Sequence, residues 1–317
     1  MRYSGLQGMV MAITQICKNT GRVAAAIILV ICLFSNGAVA DTKAAVNREV
    51  PGKKNKIDKG VKKRSRGKKP SPGLMGSMDK RKAALKTSFR RAGLDQDAIE
   101  GIFSDQRLQL YYNIYTPTEL TAEGKKKKKP SYFDEEFGLF KPESIAAGKR
   151  IKAENKELFA RIETRYGVPA DYLVAIVRIE TNFKEHLGKY SVFNALYTMS
   201  MLDKRVKRVE MAHRELVAWV KMCRRMEMDP FVTKGSWAGA FGIPQFMPSS
   251  YALFAVDYDG DGKTDLYDYP DAFASIANYL QRTGWKTGNL KKMRRAVYRY
   301  NHEKAYVDAV FAYAGRI

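Results

Sequence analysis

Tyr172-Leu-Val-Ala-Ile-Val-Arg-Ile-Glu180 is the stretch on which the fold turns. Leu173, Ile176 and Val177 recur at three- and four-residue spacing, which sets them on one face of an α-helix. Glu180 follows Val177 by three residues and Ile176 by four, so it falls on the same apolar stripe. A carboxyl group on a buried face is desolvated, which disfavours its charged form and raises its pKa. A carboxyl that keeps its proton near neutral pH can serve as a general acid. Pattern alone also admits a partly exposed glutamate at a helix end.

Outward from this helix the periodicity stays helical. Ala83, Leu85, Phe89 and Leu94 predict a first helix, and Ser144 reads as the N-cap of one running to Tyr166, with Gly167 as its left-handed stop and Pro169 just beyond. Further helices are expected from Asp171 to about Phe183, within Met199–Met226 (one or two), over Asp271–Arg282, over Leu290–Arg299 and over His302–Ala314. Sustained period-2 alternation is missing, so strands should be few. The expected class is mainly α with a minor α+β component, in one domain over residues 78–317.

Two segments inside that domain carry further chemistry. Gly235-Ser-Trp-Ala-Gly-Ala-Phe-Gly242-Ile-Pro-Gln245-Phe-Met-Pro-Ser-Ser-Tyr251 is glycine-rich but lacks the Gly-Lys-Ser/Thr of a phosphate loop. Its small residues allow close backbone approach. Ser236 and Gln245 lie among aromatics, a mixture suited to stacking on sugar faces and bonding sugar hydroxyls, and equally to packing. The second segment is Asp257-Tyr-Asp259-Gly-Asp261-Gly262-Lys263-Thr-Asp265-Leu-Tyr-Asp268. Oxygen ligands at positions 1, 3, 5, 9 and 12, with glycine at 6, give the spacing of an EF-hand-type calcium loop. Asp257, Asp259, Asp261, the Lys263 carbonyl, Asp265 and Asp268 are the expected ligands of a structural Ca²⁺. Asp268 is shorter than the usual glutamate at position 12, which points to modest affinity.

Composition narrows the partner. With 45% hydrophobic and 11% aromatic residues the chain can bury a core, which excludes wholesale disorder. Its net charge is +23, from 56 Lys+Arg against 33 Asp+Glu, and it first suggests an anionic partner. The excess is patchy. Residues 51–70 hold ten Lys/Arg against Asp58 alone, Lys125–Lys129 add five, and Arg2, Lys18 and Arg22 add three, leaving +6 for the rest. These runs lack interleaved aromatics and a nucleic-acid reading module, so nucleic acid is not the expected partner.

Val23–Phe34 is a 12-residue apolar run preceded by Arg22 and followed by an Ala-Val-Ala site ending at Ala40. It has the form of a secretory signal peptide, too short for a comfortable membrane span. Residues 1–40 are therefore expected to be a leader, cleaved or retained as an anchor, and 41–77 a disordered basic linker. That linker is a solvated tether or an electrostatic contact to an anionic envelope surface. Of Cys17, Cys32 and Cys223 only the last would survive cleavage, so no internal disulfide is expected, and Cys223 reads as a buried apolar residue. His186, His213 and His302 lack metal-ligand spacing.

Seven segments taken in order carry a resemblance: Tyr-Gly-Val-Pro (166–169), Ile-Glu-Thr-Asn (179–182), Leu-Gly-Lys-Tyr (187–190), Gly-Ser-Trp-Ala-Gly-Ala-Phe-Gly (235–242), Gln-Phe-Met-Pro-Ser-Ser-Tyr (245–251), the Asp-rich loop, and Tyr-Arg-Tyr-Asn-His (298–302). Over roughly residues 100–314 the chain resembles the membrane-bound lytic murein transglycosylase B family. The resemblance implies a lysozyme-like, mainly helical core with an inserted calcium loop. It implies cleavage of the peptidoglycan bond between N-acetylmuramic acid and N-acetylglucosamine with a 1,6-anhydromuramoyl product. Glu180 matches the family's sole catalytic carboxylate, and Ser236, Gln245, Tyr279, Tyr300 and Asn301 match positions lining its glycan cleft. It implies peptidoglycan strands as partner; the leader pattern fits that substrate and predicts export to the periplasm or cell envelope, and a monomer is expected. Two departures stand out: Lys184 replaces the glycine common four residues after the catalytic glutamate, where it is expected to point to solvent, and Phe183 replaces a frequent Trp or Tyr. A non-catalytic peptidoglycan-binding scaffold and a hydrolytic muramidase are the alternatives.

Overall fold

A computed structural model describes residues 76–115 and 131–317. The expected leader (1–40), nearly all of the expected linker (41–77) and the lysine run 125–129 lie outside the described residues. The chain folds as α1 (Met78–Arg91), α2 (Gln96–Ser104), α3 (Pro142–Glu154), α4 (Lys156–Tyr166), α5 (Ala170–Thr181), α6 (Val192–Leu202), α7 (Val206–Arg225), α8 (Pro248–Phe254), α9 (Tyr269–Arg282), α10 (Leu290–Tyr300) and α11 (Lys304–Ala314). Among the described residues the only sheet pairs β1 (Tyr190–Ser191) with β2 (Lys234–Gly235), antiparallel, with Tyr190 opposite Gly235. No described helix is long and apolar enough to cross a membrane.

Two apolar clusters hold the helices. The first draws on α3, α4, α5, α9, α10 and α11, around Phe159, Ile162, Leu173, Ile176, Phe273 and Tyr313. The second draws on α1, α2, α6, α7 and α8, around Leu85, Phe89, Phe193, Trp219 and Phe241. Tyr279 and Tyr300 pack against both clusters, so they mark the seam between them. Cys223 is buried in the second cluster, as its sequence setting suggests.

The sequence pattern expects one helix from Ser144 to Tyr166; the structure has two. Pro142, whose fixed φ suits a first helical turn, starts α3 earlier. Asn155 then breaks the run at φ −113°, ψ 25°, with its side-chain amide donating to the Ile151 carbonyl. Gly167 does end α4 in the left-handed conformation. Ser144, freed from capping, donates to the Leu139 carbonyl (2.9 Å) and accepts from Arg178 Nε (2.7 Å). α2 and α8 are too short for apolar periodicity to announce.

α5 positions the site. Its middle is buried from Leu173 through Arg178. The Arg178 guanidinium, facing away from Glu180, also donates to the Gly138 carbonyl (2.9 Å), which ties α5 to the loop before α3. The helix stops in three successive left-handed non-glycine residues, Asn182 (φ 45°), Phe183 (φ 57°) and Lys184 (φ 82°). Each costs on the order of 1 kcal/mol in that conformation unless its surroundings impose it.

Candidate active site

Glu180 sits in the last turn of α5, partly exposed, at the seam. Its Oε1 accepts a 2.6 Å hydrogen bond from the Tyr306 hydroxyl of α11. Burial pushes its carboxyl up to about 7, against the smaller opposing pull of that hydrogen bond. The partly exposed glutamate of the pattern argument and the desolvated one therefore describe the same residue.

An aromatic wall surrounds it. The Tyr300 ring lies parallel to that of Tyr306, with centroids 6.4 Å apart and planes 7° apart. Tyr300 donates to the Pro244 carbonyl (2.5 Å) and takes Tyr279 edge-on at 4.9 Å. Tyr279 in turn donates to the Arg299 carbonyl (2.7 Å). Desolvation, then the nearby Glu180 charge, holds Tyr300 and Tyr306 well above the ordinary phenol value, so both stay protonated and able to donate. Tyr132 meets Tyr306 edge-on at 5.9 Å and donates to Glu303 at 3.2 Å. Its phenol is raised by burial, then by the charges of Glu303 and Glu180.

The glycine-rich segment follows the wall. β2 lies so close to the loop after α5 that a Cβ on Gly188 would stand 2.1 Å from the Gly235 carbonyl carbon. Ser236 Oγ accepts from the amides of Ala238 (3.3 Å) and Ala240 (3.1 Å), leaving its proton to donate. Gln245, at φ 49°, directs its side-chain nitrogen to the Gly242 (2.9 Å) and Leu187 (3.4 Å) carbonyls, leaving its oxygen to accept. Asn301 follows Tyr300 directly, and no protein hydrogen bond among the described residues engages its side chain. The structure thus links Glu180 through Tyr306 to Tyr300 and Tyr279, with Asn301 and Gln245 next in sequence to Tyr300 and its acceptor Pro244. No described hydrogen bond or ring contact joins Ser236 to Glu180.

Tyr306 and Tyr132 escape sequence reasoning. Tyr306 sits inside an expected helix and reads there as one more apolar position. Tyr132 lies 48 positions before Glu180 in a segment without periodicity. Lys184 differs from expectation: its ammonium lies over the Tyr269 ring at 4.2 Å, on the side of Asp268, whose carboxyl it influences. It does not figure among the causes of the Glu180 shift.

The acidic loop runs beside α9. Asp257 accepts from the amides of Gly260 (2.8 Å) and Gly262 (3.0 Å), Asp259 from Asp261 (3.2 Å), Asp261 from Lys263 (2.7 Å), and Asp265 from Tyr267 (2.8 Å). Asp268 caps α9 by accepting from the Asp271 amide (3.1 Å). The residue whose carboxylate meets those of Asp257 and Asp259, all within 4.8 Å, is Asp271. It is 1% exposed and accepts from the amides of Tyr258 (2.6 Å) and Asp265 (2.7 Å). Burial pushes Asp271 up to about 6, with Asp268 and Asp259 adding to the rise. No cationic side chain among the described residues forms an ion pair with this cluster. Oxygen-only donors around a buried, uncompensated carboxylate fit a hard divalent cation. The twelve-residue count missed Asp271 because the chain makes a helix cap at Asp268 before returning to the cluster.

Comparison with known proteins agrees with this geometry. Membrane-bound lytic murein transglycosylase B of Escherichia coli (strain K12) is 38% identical over 148 residues, a match that takes in 47% of this chain and 40% of that protein's length. The crystal structure of soluble lytic transglycosylase SltB1 from Pseudomonas aeruginosa superimposes with a TM-score of 0.64 at 26% identity, covering 74% of this chain and 97% of the other. SltB3 from Pseudomonas aeruginosa, solved in complex with NAG-anhNAM-pentapeptide, gives a TM-score of 0.63 at 25% identity, covering 75% of this chain and 78% of the other. The pattern of the Transglycosylase SLT domain family spans residues 77–295, from the start of α1 into α10. With that span and a mainly helical, lysozyme-like fold, the chain belongs to the Transglycosylase SLT domain family.

Proposed function

We propose that the protein is a peptidoglycan lytic transglycosylase with Glu180 as its single general acid and base. The observation that carries this reading is a desolvated carboxyl, raised to about 7, at the foot of a tyrosine-lined seam. Two-carboxylate glycosidases divide acid and nucleophile or base between two residues. Here one group takes both parts in turn. Protonated Glu180 gives its proton to the glycosidic oxygen as the bond to the muramoyl C1 breaks, and the substrate's N-acetyl group stabilises positive charge at C1. The Glu180 carboxylate then takes the proton of the muramoyl C6 hydroxyl as that oxygen bonds to C1. The products are a free N-acetylglucosamine hydroxyl and a 1,6-anhydromuramoyl end, with no water consumed. The anhydro ligand of SltB3 supports this outcome for a relative of the same fold.

Tyr306 orients Glu180 and steadies its carboxylate between the two transfers. Asn301, with a free amide, orients the N-acetyl group together with Ser236. Tyr300 and Tyr279 wall the sugar, and the Gln245 oxygen accepts from a sugar hydroxyl. Asp257, Asp259 and Asp271 would hold a structural Ca²⁺, with Asp261, the Lys263 carbonyl, Asp265 and Asp268 as the remaining oxygens of the loop. The leader pattern and the membrane-bound relative support export to the envelope, with residues 41–77 as a basic tether.

The test is digestion of purified sacculi followed by mass spectrometry. The wild type is expected to release anhydromuropeptides, and Glu180→Gln to release essentially none while keeping its circular dichroism. Products one water heavier, with reducing ends, would make the protein a hydrolytic muramidase. Sedimentation with sacculi and no soluble product would make it a binding scaffold.

A further inference from the structure

The folded body carries a small share of the net charge, but that share is concentrated. α1 has six Lys/Arg against one Asp, and α7 has six against two Glu. The two helices pack together. Between them opens a cavity of about 370 Å³ whose walls include Ser88, Arg91, His213, Arg214, Val217 and Lys221.

Its floor is uncharged, with Ala92 and Val217 beside the polar pair His213 and Ser88. His213 is 8% exposed, its Nε2 stands 2.6 Å from Ser88 Oγ, and Ser88 donates onward to the Ala84 carbonyl at 3.1 Å. Burial lowers the His213 pKa, which keeps the ring uncharged. The rim is cationic. Arg91, Arg214 and Lys221 are exposed, no carboxylate lines the cavity, and none of the three has an ion-pair partner among the described residues. Other cations nearby are spoken for: Lys86 pairs with Glu100 at 2.6 Å, and Arg224 donates to the Gly93 carbonyl. Arg91 lies in the last turn of α1, where a cation complements the helix dipole. That account fails for Arg214, in the middle of the 20-residue α7. Three like charges around one concavity repel, and an anion seated among them removes the repulsion.

We propose that this cavity binds a phosphate group. Two guanidinium forks and one ammonium around an uncharged floor suit a multiply acceptor-bearing oxyanion better than a lone carboxylate, which one arginine satisfies. The phosphate comes either free or on the headgroup of an anionic lipid.

The experiment uses the full chain and three proteins: wild type, Arg91→Glu/Arg214→Glu/Lys221→Glu, and a control of equal charge change on another exposed basic helix, Lys291→Glu/Lys292→Glu/Arg295→Glu. Isothermal titration with inorganic phosphate is expected to show saturable binding by wild type and control, weakened about tenfold or more in the cavity variant. Binding absent from the wild type, or weakened equally in the control, overturns the proposal. Should the triple variant fail to fold, Arg214→Gln alone is expected to weaken phosphate binding about threefold or more, and unchanged affinity overturns it. Sedimentation with phosphatidylglycerol against phosphatidylcholine vesicles distinguishes the source. Loss of the phosphatidylglycerol preference in the cavity variant alone assigns a headgroup, and its retention beside lost phosphate binding assigns free phosphate.

Discussion

Glu180 and Asp271 are both desolvated carboxyls on helices, raised to about 7 and about 6 respectively, yet their surroundings prepare them for opposite tasks. Glu180 lies in the last turn of α5, at the negative end of the helix dipole, and receives one hydrogen bond, from a phenol. Little there favours a negative charge, so the group holds a proton. Asp271 lies in the first turn of α9, at the positive end, and accepts two backbone amides while facing Asp257 and Asp259. Its carboxylate is solvated by the chain and repelled by its neighbours, a balance that a bound cation resolves. Burial alone does not decide what a carboxyl does; helix end, donor count and neighbouring charge do.

The comparison breaks most visibly at Glu180. Glu180→Gln should lower anhydromuropeptide release by about 10³-fold or more, because both proton transfers of the proposed mechanism pass through this group. Asp271 is tested by metal. Chelation should lower the melting temperature of the wild type, and Asp271→Asn should be destabilised by about 1–3 kcal/mol and respond little to chelator. Equal melting with and without chelator in the wild type would remove the cation from the account.

Smaller effects sharpen the contrast. Tyr306→Phe removes a bond that favours the Glu180 carboxylate, so the Glu180 pKa should rise further. The limb of the pH–rate profile on which activity falls with rising pH, expected near pH 7, should move upward while turnover drops about tenfold. A raised folded-state pKa also carries a stability cost. The wild type loses stability as pH rises from the ordinary carboxyl value of 4.5 through about 7, because the folded state resists ionisation. Glu180→Gln, which cannot ionise, should therefore melt above the wild type at pH 8 and nearly with it at pH 4. The smallest effect belongs to Lys184→Ala. Losing the contact with Tyr269 should cost about 0.5–1 kcal/mol and leave the pH limb in place, since Lys184 serves the acidic-loop side. A shifted limb would show that Lys184 acts on Glu180 after all.

Much of the fold is legible in the sequence because amphipathic helices announce themselves by period, and glycine at 167 stops one where expected. The legible part of the site is the part that lies in short motifs: Glu180 on its stripe, and the glycine-rich and acidic segments. Tyr306 and Tyr132 are illegible because their roles are contacts across the seam, made by residues that in their own segments look like ordinary packing. Asp271 is illegible because a cap at Asp268 shifts the loop's return by three positions. The departure at Lys184 gains a physical meaning only with its φ of 82°, a conformation that glycine adopts without strain.

By itself the sequence determined the helical class, the stripe that carries Glu180, the acidic loop and the uneven spread of basic charge, since each depends on residues close together along the chain. Tertiary structure alone decided which phenol holds Glu180, which aspartate completes the acidic cluster, where Lys184 points, and that the cations of α1 and α7 rim one cavity. Those outcomes depend on which helix faces meet, and long-range packing of two apolar clusters sets that meeting rather than any local spacing.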